Sequence, residues 1–380
     1  MPMQDSDFQT LSPLFYWAGI FIACFSAFLI AGKRKKIMAD YLLAVWSLII
    51  GIHLVFFVLF FTGSYVRFPY FLGYEVLLPF IHGPMLYLYV LSVTGKRPGK
   101  KIWLLHSIPV FIVFLILSQL LILSPWDRLV IYQNGAGEYK IVSTILKCLM
   151  IFSGVFYIGL SISAMRNYKK GLSDQYSNTE KMNMNWIYYL IIGMALIWIA
   201  VIVRNDILIF TIVVLFILVA AYFGISRVGI LNLAAGSEGS QGKPVNDGIS
   251  GITKYQKTSP GDDAIQDIYE RLMHRMEQGK LYTDPELNLN YVAQLLDVHP
   301  NILSQTINTM EQKNFYDYIN RQRIEEFKRI ACLPENQKFT ILSLAFESGF
   351  NSKTSFNRNF KKYMNCSPRE FLRSQSIDLE

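Results

Sequence analysis

The residues of this chain best suited to chemical recognition lie near its end, in the stretch KTSFNRNFKKY, residues 353–363. At helical spacing Phe356, Phe360 and Tyr363 fall on one face and are expected to pack inward. The other edge carries polar and basic side chains: Ser352, Lys353, Thr354, Asn357, Arg358, Lys361 and Lys362. Lysine and arginine suit phosphates, while asparagine and arginine can hydrogen-bond base edges. The stretch therefore predicts a DNA-contacting helix whose lysine and arginine side chains contact phosphates more than bases.

A pattern that builds two crossed helices occurs twice in this part of the chain. The copies are NLNYVAQLLDVHPNILSQTINTM, with Ala293 before Asp297, and TILSLAFESGFNSKTSFNRNF, with Ala345 before Gly349. A small residue lets two helices cross closely, and Gly or Asp can adopt the left-handed turn between them. The pattern predicts two helix-turn-helix units. The second helix of the first unit is expected to present four residues to DNA: Asn301, Ser304, Gln305 and Asn308.

The segment between the two units, FYDYINRQRIEEFKRIACL, reads as one amphipathic helix. It would have about 17 residues and, at 1.5 Å per residue, a length of roughly 25 Å. Two recognition helices held by such a rod could enter successive major grooves, about 34 Å apart on one face of a duplex.

These motifs resemble the DNA-binding domain of the AraC/XylS family of transcription regulators. The likeness covers about residues 267–375 and is carried by 289–303, 315–324, Gly349-Phe350, Phe356-x-Arg358-x-Phe360-Lys361-Lys362 and Ser367-Pro368. It implies a double helix-turn-helix fold and sequence-specific, usually promoter-proximal, DNA binding, often as a dimer. RNA polymerase is a further candidate partner.

The chain departs from the family pattern at three positions. Asp297 and Asn365 stand where the family commonly has glycine, and both residue types tolerate left-handed turns. Phe327 stands where a small Ala is common, which puts only local packing in doubt. The family's usual partner, a soluble sugar-binding barrel, is not evident in the sequence. The layout resembles the membrane-anchored members of the family found in Bacteroidetes-type bacteria.

Seven apolar stretches in the first two thirds of the chain are long enough to cross a membrane, since a bilayer core of about 30 Å needs roughly 20 apolar residues in a helix. They run near Leu14–Ala31, Tyr41–Phe61, Phe71–Val93, Ile102–Leu123, Ile141–Ser163, Trp186–Val203 and Ile207–Ile225. The leader MPMQDSDFQT has no Lys or Arg, so the first stretch is not expected to be a signal peptide. The sequence predicts an all-α protein with a seven-helix transmembrane bundle.

Basic residues in the loops between these stretches predict their orientation. With the N-terminus outside, the inner loops around residues 33–36, 96–101 and 166–181 hold twelve Lys and Arg, and the outer segments hold four. Positive charge favours the cytoplasmic side. An odd number of spans then places the C-terminal region in the cytoplasm, so the expected location is the bacterial inner (cytoplasmic) membrane, as a multi-pass protein.

Ionisable residues within the predicted spans are candidates for sensing, because a buried charge in a membrane is costly and often functional. Glu75, His82 and His106 are the candidates, with His53 in the second span. Glu75 and His82 are seven residues apart and are expected on one helical face, beside a kink at Pro84. The alternative is that Glu75 lies near the outer interface and the histidines only hydrogen-bond neighbouring helices.

Between the membrane part and the C-terminal part the composition changes to glycine, serine and asparagine, as in SEGSQGKPVNDGISG. Such a segment is typical of a flexible tether. The predicted domains are therefore a transmembrane domain over residues 1–225, a linker over 226–262 and a DNA-binding domain over 263–380. A tether transmits force poorly, so a signal would pass by proximity, dimerisation or docking.

No pattern in the chain predicts an enzyme, a metal site or a cofactor. The spans lack HExxH, CxxC and paired carboxylates, and the glycines of 236–251 follow no predicted strand. The predicted function is a membrane-bound transcription regulator, a homodimer on DNA, whose pairing answers an unknown signal ligand. The alternative is a membrane receptor or transporter whose helical tail binds a protein partner, since acids nearly balance bases in the C-terminal domain.

Overall fold

The computed structural model describes residues 5–96, 98–134, 137–180, 182, 184–203, 205–226 and 261–375. These residues are mostly helical and contain one isolated antiparallel bridge, Tyr176 to Asn288, but no strand. Two compact units are present: residues 1–166 with 184–241, and residues 167–183 with 242–380. The predicted linker lies outside the described residues over 227–260.

Eight helices of the described residues begin in the first unit. They are α1 Asp5–Ala31, α2 Met38–Phe61, α3 Pro79–Val93, α4 Lys100–Ile122, α5 Pro125–Gln133, α6 Lys140–Gln175, α7 Trp186–Val203 and α8 Asp206–Ser226. Most are continuous runs of apolar residues, while the short α5 begins at a cap where the Ser124 hydroxyl accepts the N–H of Asp127. Helix α6 continues beyond the predicted end at Ser163.

Five of these helices, α2, α4, α6, α7 and α8, are long and apolar enough to cross a membrane. A sixth span results if α3 is counted with the short turns before it, and the apolar part of α1, Tyr16–Ala31, is shorter than the five. All seven predicted stretches are helical in whole or in large part. Within the described residues the structure thus supports five or six spans by length and composition, where the sequence predicts seven.

The third predicted span is not one helix. Two short 3-10 turns, Pro69–Phe71 and Tyr74–Leu77, precede α3, and the two parts differ in direction by 42°. Proline has no N–H to bond the preceding turn, so the helix restarts at Pro79. Because Glu75 lies in the turn and His82 lies in α3, the prediction that they share one helical face is wrong.

The outer surface of the first unit is apolar. On α1, Trp17, Phe21, Phe25 and Phe28 are about half exposed or more, while Ala23 on the other side is fully buried. Aromatic side chains exposed in this way would be costly in water and favourable in lipid. The helices are therefore compatible with association with a membrane.

The second unit contains seven further helices among its described residues. They are α9 Asp262–Gly279, α10 Leu289–Leu295, α11 Pro300–Glu311, α12 Phe315–Ala331, α13 Ile341–Glu347, α14 Lys353–Met364 and α15 Pro368–Ser374. Helices α10 and α11 form the first predicted helix-turn-helix unit, and α13 and α14 form the second. Helix α12 joins them and has the 17 residues that the sequence predicts.

Two hydrophobic cores hold these helices, and α12 belongs to both. Its first half places Phe315 and Ile319 in a core with α9, α10 and α11. Its second half places Ile324 and Phe327 in a core with α13, α14 and α15. Because one rigid helix supplies side chains to both cores, it fixes the two helix-turn-helix units relative to each other. Phe327, which departs from the family pattern, is fully buried and packs 4.7 Å from Phe356, between ring centroids.

Candidate nucleic-acid interface

Both helix-turn-helix turns close with the same backbone hydrogen bond. After α10 the N–H of Val298 donates to the carbonyl of Ala293 at 3.0 Å, and after α13 the N–H of Phe350 donates to the carbonyl of Ala345 at 3.1 Å. A bond that spans six residues in this way defines a Schellman motif. Both alanines are fully buried, as the predicted close crossing of the helices requires.

The turn residues adopt the left-handed conformation that the sequence predicts for them. The φ angle is 53° at Asp297, 55° at Asn365 and 99° at Gly349. At Gly349 both the backbone angle and the lack of space for a side chain are restrictive. A Cβ there would lie 2.4 Å from the carbonyl oxygen of Tyr282 and 2.9 Å from Nε of Arg323. Only glycine fits this turn.

Helix α14 has the two faces that the sequence predicts. Phe356 and Phe360 are buried in the second core, and Tyr363 packs against it. The opposite edge consists of exposed side chains: Lys353, Thr354, Asn357, Arg358, Lys361 and Lys362. At the start of the helix the hydroxyl of Ser352 accepts the N–H of Ser355 at 3.0 Å. Ser352 therefore caps the helix, and its side chain is already engaged before any DNA is present.

Helix α11 is the corresponding helix of the first unit. It begins at Pro300, in the first-turn position that the sequence predicts, and the ring Nδ1 of His299 accepts the N–H of Asn301 at 3.2 Å. Of the four predicted DNA contacts, Asn301 and Asn308 are exposed, while Ser304 and Gln305 are partly buried. The surface is polar and uncharged, so it suits base edges better than phosphates.

One tyrosine that sequence reasoning missed organises the polar side of α14. The hydroxyl of Tyr316, on α12, accepts from Arg358 and from Asn359, each at 2.7 Å. The guanidinium of Arg358 also lies over the Tyr316 ring, 5.9 Å from its centroid. The sequence contained a signal, since Asn359 is a polar residue on the inward face of α14 and needed a buried partner. Tyr316 therefore orients Arg358 on the surface of the domain.

The cations of α14 differ in their surroundings. Lys362 forms an ion pair with Asp317 on α12, with 2.7 Å between Nζ and Oδ1. Lys353 and Lys361 form no ion pair within the part of the chain that the structure describes. An exposed ammonium outside ion-pair distance of a carboxylate loses little when it moves to a phosphate. Lys353 and Lys361 are thus the cations best placed for phosphates.

One buried acidic residue of the domain, Glu326, is neutralised away from this edge. Glu326, only 8% exposed, pairs with Arg329 and Lys280, each at 2.8 Å. The hydrogen bond from Arg329 lowers the pKa of Glu326 to about 2, against an opposing effect of burial, and Lys280 adds to the lowering. Glu326 therefore does not offset the positive charge of α14.

The three residues predicted for sensing each have separate partners in the first unit. Glu75 accepts the N–H of Gly73 at 2.8 Å and the hydroxyl of Tyr132. Nδ1 of His106 lies 3.1 Å from the hydroxyl of Tyr157. The structure thus gives Glu75 and His106 hydrogen bonds that join neighbouring helices and turns.

His82 has a different environment. The indole N–H of Trp46 donates to Nδ1 of His82 at 3.2 Å, and Nε2 of His82 lies 2.8 Å from Nδ1 of His53. Indole can only donate, so a neutral His82 carries its proton on Nε2 and donates to His53. Both histidines line an apolar cavity of about 210 Å³. Among the described residues no group of His, Cys, Asp and Glu could hold a metal ion.

Comparisons with known proteins bear on the second unit. No curated protein and no solved structure matches the chain. Residues 292–374 match a family described as "Helix-turn-helix domain", of the AraC type. The matched range begins in α10 and ends in α15, so it contains both turns and the exposed edge of α14. The match supports an AraC-family DNA-binding domain in this part of the chain.

Proposed function

We propose that this protein is a membrane-bound transcription regulator that binds promoter DNA in a sequence-specific manner through both helix-turn-helix units. The observation that carries the proposal is the repetition of one motif. Two Schellman turns of the same hydrogen bonding each present a second helix whose outer edge is polar. Helix α12 connects the two as a single rigid element. A tail that docks a protein partner would need only one such surface.

The two second helices have different roles in this proposal. Helix α11 reads bases, because its three amide side chains Asn301, Gln305 and Asn308 can hydrogen-bond base edges and none of them is charged. Helix α14 contacts base edges through Asn357 and binds phosphates through its lysine and arginine side chains. Tyr316 orients the guanidinium of Arg358, so that this side chain is already positioned to contact a phosphate.

The experiment that tests the proposal selects DNA from a random pool with a fragment of residues 261–380. The fragment retains both hydrophobic cores, whose buried residues lie between 268 and 372. The expected result is an enriched motif with two half-sites about one helical turn apart. Gln305→Ala should blur one half-site, while Lys361→Ala should weaken binding to all sequences alike and reduce the salt dependence.

The matched control is Lys338→Ala, since Lys338 is exposed but lies outside both helix-turn-helix units. It should leave motif, affinity and salt dependence as they are. If neither a fragment with a native helical spectrum nor the full chain in lipid nanodiscs enriches any sequence at low salt, the proposal fails. The protein-docking tail then becomes the better account of the same surface.

The first unit is proposed as the membrane domain, with the N-terminus outside and the C-terminal domain in the cytoplasm. Its long apolar helices and exposed aromatic side chains support the membrane location, and the distribution of Lys and Arg supports the orientation. A homodimer on DNA, contact with RNA polymerase and response to a signal ligand stay predictions. For sensing, His82 is the better placed of the three predicted residues, because it borders a cavity.

A further inference from the structure

The second unit includes a short segment that is remote in sequence from the rest of it. Residues 167–183 comprise the last turns of α6 and the start of the loop that leads to α7, between two predicted membrane spans, and they belong to the same compact unit as the helix-turn-helix domain. Tyr176 pairs in antiparallel fashion with Asn288, the residue that caps α10. The N–H of Ser177 donates to the carbonyl of Leu287 at 3.2 Å. The segment therefore docks on the backbone immediately before the first helix-turn-helix unit.

Every polar group of Ser177 has a partner in the domain, and the residue is 1% exposed. Its hydroxyl donates to the carbonyl of Leu287 at 2.6 Å and accepts from Nη2 of Arg323 at 3.0 Å. Its carbonyl accepts from the side-chain amide of Asn320 at 3.0 Å and from Nη1 of Arg323 at 3.3 Å. A loop that merely touched the domain would bury fewer groups.

The partner of this serine, Arg323, is a charged residue that is also only 1% exposed. A buried guanidinium is costly unless its five N–H donors are satisfied. Two of them bond the carbonyls of Tyr282 and Asp284, each at 2.7 Å, and one bonds Oδ1 of Asn320 at 3.4 Å. The remaining two bond Ser177. Without the docked segment, Arg323 would lose two of its five partners.

The same arginine contacts the segment that precedes the first helix-turn-helix unit and the turn of the second. Its hydrogen bonds hold residues 282–284, which lead into the cap of α10. On the other side, a Cβ on Gly349 would lie 2.9 Å from its Nε, so the turn of the second unit rests directly against it. A change in the surroundings of Arg323 therefore affects both the segment that leads into the first helix-turn-helix unit and the turn of the second.

We infer that the segment around Tyr176 and Ser177 is a docking element that couples the two predicted spans on either side of it to the DNA-binding domain. Docked, it satisfies Arg323 and holds both helix-turn-helix units in the arrangement that binds DNA. When movement of α6 or α7 withdraws the segment, Arg323 loses hydrogen-bond partners. The affinity of the domain for DNA then falls. The inference rests on the proposed function for its last step, but the docking itself does not depend on DNA.

The docking is tested in the full chain, purified in lipid nanodiscs, with the four native cysteines replaced by serine. In this background Tyr176→Cys and Asn288→Cys create a cysteine pair across the antiparallel bridge, where the Cα distance suits a disulfide. Mild oxidation should join the two cysteines within one chain, as detected by mass spectrometry of the linked peptides. A folded protein that forms no such disulfide overturns the docking.

The coupling is tested with Ser177→Ala in the full chain, against Ser173→Ala as the matched control. Ser173 lies four residues earlier, and its hydroxyl donates to the carbonyl of Lys169 in its own helix. Ser177→Ala should raise hydrogen exchange across residues 282–289 and lower affinity for the selected DNA about five-fold or more. Ser173→Ala should change neither quantity. Substituting Arg323 itself is avoided, because that would disrupt the fold.

The remaining outcomes are distinguishable. If the disulfide forms but Ser177→Ala binds DNA within two-fold of the wild type, the segment is structural and the coupling is overturned. If the wild-type chain forms the disulfide but neither it nor the fragment binds DNA, the proposed function fails, and with it the coupling, while the docked segment stands.

Discussion

Single residues decide the shape of the second unit at a few places where the backbone or a buried charge allows little choice. Gly349 combines a φ of 99° with backbone 2.4 Å from any added Cβ. Glu326 is a buried carboxylate that is neutralised by two cations, Arg329 on the same helix and Lys280 just after α9. Each of these residues gives a prediction that can be measured on the fragment of residues 261–380.

Gly349→Ala should destabilise the fragment by about 2–4 kcal/mol, because alanine is strained at this φ and its methyl group meets the carbonyl of Tyr282. The measurement is the free energy of unfolding in urea. The control is Gly279→Ala at the end of α9, where a Cβ meets only Leu281 at an ordinary 3.5 Å. It should be neutral or slightly stabilising. Equal effects of the two substitutions would contradict the packing described here.

Glu326→Gln should lower the free energy of unfolding at pH 7 by about 2 kcal/mol, because a folded-state pKa near 2 favours the ionised, paired carboxylate. The unfolded group titrates near 4.5. Since the folded pKa is depressed, this stabilisation is fully present above pH 4.5 and is lost as pH falls towards 2. Urea unfolding at several pH values should show the difference between variant and wild type shrink over that range. The control is Glu335→Gln, at an exposed position, which should leave the free energy of unfolding at pH 7 close to that of the wild type.

At the scale of elements, α12 is the centre of the DNA-binding domain. It supplies residues to both cores and carries Tyr316 and Asp317 to the surface of α14. It also buries Arg323 between residues 282–284 and the turn at Gly349. Family resemblance alone suggests that its second half tolerates a small residue at position 327. The structure indicates the opposite, since the Phe327 ring is fully buried among Phe356 and Phe360.

Phe327→Ala should therefore cost about 3–5 kcal/mol, the range for a large aromatic side chain removed from a packed core. The comparison is Phe339→Ala, whose ring is 40% exposed and should cost less than half as much. Thermal and urea unfolding of the two fragments provide the measurement. If both variants unfold like the wild type, α12 does not hold the second core as the structure describes.

For the whole molecule, the first unit should behave as an integral membrane domain. The full chain should stay in the pellet after carbonate extraction, because its helices expose apolar and aromatic side chains that only lipid can cover. A single cysteine at Lys35, between α1 and α2, should react with an impermeant reagent only in inside-out vesicles. One at Tyr70, between α2 and α3, should react only in right-side-out vesicles.

Both positions are exposed, so burial does not limit the reaction. Labelling of the two cysteines from the same side would contradict the proposed topology. Release of the chain by carbonate would contradict a membrane domain altogether. If the cysteine at position 35 reacts only in right-side-out vesicles and the one at position 70 only in inside-out vesicles, the DNA-binding domain lies outside the cytoplasm. That result is incompatible with the proposed function.

The sequence by itself determined the helical elements and the two turns of the DNA-binding domain. Helical periodicity, small residues at Ala293 and Ala345, and turn residues at Asp297 and Gly349 are local features, and local backbone preferences act on them directly. The inward and outward faces of α14 follow from the same spacing. These predictions agree with the structure because each depends on residues within about one or two turns of helix.

Only the tertiary structure decided which distant groups meet. The hydrogen bonds of Tyr316 to α14 and of Ser177 to Arg323 each join residues that are far apart in sequence. Ser177 and Arg323 are 146 positions apart, and nothing local marks the serine as buried. Hydrogen bonds of this kind form where packing brings donor and acceptor together, and periodicity carries no information about that.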